Sequence, residues 1–64
     1  MTAAQLRKAG FRVNLEPFPE GGGYEFLVAR ADDDKTICVG MREGCKRDAY
    51  VEAARLLRAL GVMP

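Results

Sequence analysis

Lys46 and Arg47 are the residues whose type and position most clearly imply chemistry. They open a stretch, residues 46–60, that has no Gly or Pro and repeats apolar residues at helical spacing, so both cations fall on the first turn of a helix. At that end the helix macrodipole is positive and the first backbone amides lack partners. Stability alone would place Asp or Glu there. Two cations beside unpartnered N–H groups suit an anion, and phosphate in particular. The plainer alternative is a pair of solvated side chains whose cost Asp48 partly offsets. Arg42 precedes the helix, and Arg55 and Arg58 share its outward face with Arg47 and Val51. Lys46, Arg47, Arg42, Arg55 and Arg58 are therefore the candidate nucleic-acid contacts, with an ordinary solvated helix face as the competing account.

Other residues offer less. Asp32, Asp33 and Asp34 are consecutive in a turn, where three carboxylates do not converge on one cation, so a solvated turn is expected and no metal. Phe18 lies between Pro17 and Pro19. It is either an exposed aromatic for a partner or a side chain folded back over a core edge. Cys38 reads as a strand residue. Cys45 sits at the helix-capping position, where Ser is preferred. The chain has no His, which removes Ser-His and Cys-His nucleophile pairs and His metal ligands. Two Cys fall short of the four ligands of a structural zinc site. No acid-base or nucleophile set emerges, so neither enzyme activity nor a cofactor is expected.

With 10 Lys and Arg against 9 Asp and Glu, the net charge of the 64 residues is +1. A strong nonspecific nucleic-acid binder is usually far more basic. The charge is nevertheless segregated. Residues 1–16 are net basic through Arg7, Lys8 and Arg12, and residues 35–64 through the cations named above with Lys35. Residues 17–34 are net acidic through Glu20, Glu25 and the three Asp. No apolar stretch approaches the ~20 residues of a membrane span, and the N-terminus lacks the apolar core of a signal peptide. A cytoplasmic location with reduced thiols is expected.

These residues need elements to position them. Thr2 and Gln5 fit a capping box for a short first helix that Gly10 ends. Phe11, Val13 and Leu15 alternate with polar residues as in a half-buried strand. Residues 24–30 form a second strand with Tyr24, Phe26 and Val28 on one side. Residues 35–40 form a third with Ile37 and Val39 on one side and Thr36 and Cys38 on the other. The connection at residues 17–23, with two Pro and three Gly, is neither helix nor central strand. In the last helix Ala49, Ala53, Leu56, Leu57 and Leu60 share a narrow arc, and Gly61 closes it. The expectation is one α+β domain over residues 1–64, ordered α-β-β-β-α. Its three-stranded antiparallel sheet carries both helices on one face.

The segment Gly44-Cys45-Lys46-Arg47-Asp48-Ala49-Tyr50-Val51-Glu52-Ala53-Ala54 resembles the C-terminal signature of double-stranded RNA-binding domains. That signature has a small polar residue, two basic residues, an acid, Ala, Lys, two variable positions and Ala-Ala, in the same element order. The resemblance implies that Lys46 and Arg47 grip phosphates across the RNA major groove while Ala53 and Ala54 pack on the sheet. Three features depart from it. Tyr50 stands where the family has Lys, the loop at residues 17–23 lacks the family's Gly-Pro-x-His segment, and the first helix is about half the family length. A second, fainter resemblance runs through Leu6-Arg7-Lys8-Ala9-Gly10-Phe11, similar to HicA-type mRNA interferase toxins. Their nuclease activity depends on a His that this chain lacks, so that activity is not expected here. Two functions follow. The first is a non-enzymatic accessory that binds double-stranded RNA or DNA through the basic residues. The second is a protein-interaction or inhibitor module of the same fold, with a protein partner or as a homodimer, centred on Phe18, Asp32, Asp33 and Asp34.

Overall fold

The computed structural model describes all 64 residues. The capping box at the N-terminus forms as its residues require: the Gln5 amide donates to Thr2 Oγ1 at 3.2 Å and the Thr2 amide to Gln5 Oε1 at 2.9 Å. It starts α1, Ala3–Lys8. Gly10, with φ +100°, ends the turn and leads into β1, Phe11–Pro17. A tight loop connects to β2, Gly23–Arg30, and a second loop to β3, Thr36–Glu43. The chain ends in α2, Lys46–Ala59. The element order is α-β-β-β-α. The antiparallel sheet runs β1-β2-β3, so β2 is central and both neighbours are edges.

One sheet face carries both helices. Leu6 of α1 and Ala49, Ala53, Ala54 and Leu57 of α2 form a single apolar cluster with Phe11, Phe26 and Val28 of the strands. The small Ala side chains let α2 lie close to the sheet, and Leu6 and Leu57 fill the flanks. Gly40 makes the same close approach possible from the sheet side. A Cβ there would stand 2.6 Å from Phe26 Cζ and 3.2 Å from Leu56 Cδ1. The Phe26 ring thus occupies the space above its cross-strand partner Gly40.

Two expectations from periodicity are corrected. A register irregularity opposite Val28 and Ala29 sets Cys38 against Val28 and Thr36 against Ala29. This bulge turns Cys38 toward the helices, keeps Ile37 half-buried, and places Val39 on the opposite face with 66% of its surface exposed. Leu60 is also exposed, because α2 ends at Ala59 in a Schellman motif. There the Gly61 amide donates to the Arg58 carbonyl and the Val62 amide to the Leu57 carbonyl. The reversal brings Met63 into the core in place of Leu60. No helix is long and apolar enough to cross a membrane.

Candidate nucleic-acid interface

The site is built on the entrance to α2. Gly44, at φ +105°, turns the chain out of β3. Its amide donates to the Gly22 carbonyl at 2.8 Å, which anchors the β1–β2 loop against the start of the helix. Cys45 is the N-cap in extended conformation. The Asp48 carboxylate accepts from the Cys45 amide at 3.0 Å and from its thiol at 3.3 Å. The Asp48 amide itself goes to the Cys45 carbonyl at 3.1 Å. The cap is therefore carried by the carboxylate of the third helical residue, and the thiol donates to that carboxylate. These hydrogen bonds hold the Asp48 carboxyl below the usual carboxylate range, led by the Cys45 amide and assisted by Arg42 and Arg47.

Lys46 and Arg47 follow at the first two helical positions, both exposed. Neither takes part in an ion pair. Their amides have no backbone acceptor, as expected for the first turn of a helix. The other three candidate cations are engaged. Glu52 bridges two of them, with Arg42 Nη1 at 3.6 Å and Arg55 Nη2 at 2.6 Å. The Arg55 hydrogen bond is the main reason the Glu52 carboxyl lies below its ordinary range. Arg58 donates to the Pro64 carbonyl at 3.2 Å, at the far end of α2. Arg58 lies eleven residues beyond Arg47, roughly 16 Å along the axis and close to the same angular position. The fold thus gathers Arg42, Lys46 and Arg47 at one end of α2 and joins Arg55 to them through Glu52. Arg58 stands apart, at the end of the stripe that runs Arg47–Val51–Arg55–Arg58. The hub role of Glu52 was missed in the sequence. Its spacing from Arg55 is visible there, but the approach of Arg42 depends on how β3 meets α2.

Of the residues of the interaction-module reading, Phe18 is half-buried and Asp32, Asp33 and Asp34 are exposed. The Phe18 ring lies over Gly23, where a Cβ would come within 2.6 Å of Phe18 Cε2. The Phe18 amide donates to the Gly23 carbonyl at 2.9 Å. Of the two accounts of Phe18, this geometry matches the one in which it folds back. Asp34 pairs with Arg12, and Asp32 and Asp33 with Arg30. Asp32 also accepts from the Asp33 amide at 2.7 Å, and Asp33 from the Lys35 amide at 3.1 Å. These bonds, the Asp33 amide first and then Arg30, lower the Asp32 carboxyl below its ordinary value. The three carboxylates thus order the β2–β3 loop through Arg12, Arg30 and the loop amides, and remain on the surface. No group of three or more His, Cys, Asp and Glu side chains is placed to hold a metal ion.

No protein-family model, curated protein sequence or solved structure matches the chain.

Proposed function

We propose that this chain is a small, non-enzymatic nucleic-acid-binding accessory that holds phosphate at the N-terminus of α2. One observation carries the reading: Lys46 and Arg47 are exposed, free of ion pairs, and adjacent to two amides without backbone acceptors. Two flexible cations and two fixed N–H dipoles on one turn complement a phosphate oxygen pair. Asp48 occupies the Cys45 amide, so the anion is held above the Lys46 and Arg47 amides, beyond the carboxylate. Arg42 adds positive potential from β3, and Arg55 and Arg58 extend the basic stripe along the helix.

The resemblance of residues 44–54 to the double-stranded RNA-binding signature supports a duplex as the partner. The departures set the strength of binding. Tyr50 replaces a basic residue, and Glu20 sits in the loop that Gly22 ties to the α2 entrance. With so few phosphate contacts, affinity is low and strongly dependent on salt.

Titration of duplex RNA and duplex DNA at two salt concentrations tests this. Binding at low salt is expected to weaken as salt rises, with a logarithmic slope of about −2 to −3 for two or three phosphate contacts. The Lys46→Glu/Arg47→Glu variant is expected to fold normally and lose binding. No binding by the parent chain at low salt would sink the nucleic-acid reading. Unchanged binding by the double variant would sink the assignment of the anchors.

A further inference from the structure

The sheet face opposite the helices has no element of this chain over it. Two neighbouring cross-strand rows point their side chains outward there: Asn14–Leu27–Val39 and Glu16–Glu25–Met41. Between them lies the row Leu15–Phe26–Gly40, whose side chains go to the core face. The result is a groove of about 500 Å³ floored by backbone and walled by the two outward rows. Val39 and Met41 are 66% and 65% exposed, and with Leu27 they make a contiguous apolar strip toward the β3 edge. At the β1 end of the same groove, Glu16 and Glu25 stand directly opposite each other. Like charges in that relation cost stability. Neither carboxylate has a cation partner. Arg12, on the same strand, is turned to Asp34.

We propose that this groove docks an extended segment of a partner protein whose every second residue, on one face of the segment, is either apolar or Arg or Lys. An extended segment of that kind lays apolar side chains on Leu27, Val39 and Met41 and sets its cationic heads at Glu16 and Glu25. The aliphatic stems of the cations add apolar contact. The charge pattern argues against a second copy of this chain. A symmetric pairing of two such faces brings two carboxylate pairs into one interface and supplies no free cation to meet them. The groove lies across the sheet from Lys46 and Arg47, so the inference stands independently of the phosphate reading.

The probe is a short synthetic peptide with leucine and arginine in turn at every second position and serine between them, titrated into the labelled chain and read by its amide chemical shifts. Saturable binding is expected, with shifts centred on residues 14–16, 25–27 and 39–41. The Glu16→Gln/Glu25→Gln variant and the Met41→Ser variant, all at exposed positions, are each expected to weaken binding about tenfold or more. Lys46→Glu/Arg47→Glu is expected to bind the peptide as the parent does. The proposal is overturned by equal binding of a control peptide with glutamate for arginine. It is also overturned by shifts that map to α2, or by no saturable binding of the arginine–leucine peptide. Sedimentation showing self-association that Met41→Ser abolishes would assign the face to a second copy instead.

Discussion

At the scale of single residues, two positions carry more than their size implies. Gly40 has an ordinary strand conformation, so its value lies in the missing side chain: Phe26 and Leu56 fill that space. Gly40→Ala raises strand propensity yet forces the Phe26 ring off its seat, and overpacking of this kind costs about 1–3 kcal/mol. A lower denaturation midpoint with an unchanged m-value is the expected result; equal or greater stability would mean that Phe26 yields without cost. Cys45 is the converse case. Its thiol donates to Asp48, so the Asp48 amide lacks the oxygen acceptor that a Ser or Thr cap supplies. Cys45→Ser keeps the Asp48 half of the box and adds the other half, for an expected gain of about 0.5–1 kcal/mol by chemical denaturation. No gain would show that the amide bond to the Cys45 carbonyl already suffices.

At the scale of elements, legibility follows the kind of signal each element carries. Local chemistry gave the ends of the helices away: Thr2 with Gln5, and Gly10 and Gly61 at positive φ. The alternation in β1, and in β2 as far as Val28, was equally readable, because the two strands keep one register against each other; Ala29, which alternation would place outside, is buried beside the irregularity in the β2–β3 pairing. β3 was misread at Val39 and Cys38, since a bulge is a relation between two strands and leaves no mark in the period of one. β3 also runs beyond Gly40 to Glu43, past a Gly that reads as a terminator but marks close packing. Met63 lies outside any periodic segment; only the Schellman reversal places it in the core. Met63→Ala is therefore expected to destabilise the domain by about 2 kcal/mol, measured by urea unfolding, although the residue is second from the end. A loss below a few tenths would mean the C-terminal turn frays in solution. Of the candidate site, Lys46 and Arg47 were legible from the first turn of α2. The engagement of Arg42 and Arg55 by Glu52, and the open sheet groove, required the packed arrangement.

At the scale of the whole molecule, a radius of gyration of 11.0 Å is close to the ~11 Å expected for a folded chain of this length. Nine buried residues make its core cluster, so small changes in surface electrostatics weigh on a modest total stability. The pH profile exposes how that total is assembled. With no His, no side chain with an ordinary pKa titrates between about pH 5 and 8, and stability is expected to be flat there. On the acid side Asp48, Glu52 and Asp32 are all held below their ordinary values. The causes are the Cys45 amide, the Arg55 guanidinium and the Asp33 amide respectively. A depressed carboxyl contributes stability that is fully present above its unfolded pKa and is lost as pH falls through its folded one. The acid limb should therefore begin near pH 4 and steepen below it. On the alkaline side, burial raises the Cys38 thiol, favouring the neutral form in the fold. Stability is thus present below the unfolded thiol pKa and declines as pH rises beyond about 8.5. Thermal midpoints across this range provide the check. Asp48→Asn is expected to lower the plateau and flatten the acid limb, and Cys38→Ala to flatten the alkaline limb. A transition between pH 6 and 7 in the parent chain, where it has nothing to titrate, would contradict this assignment of its charges.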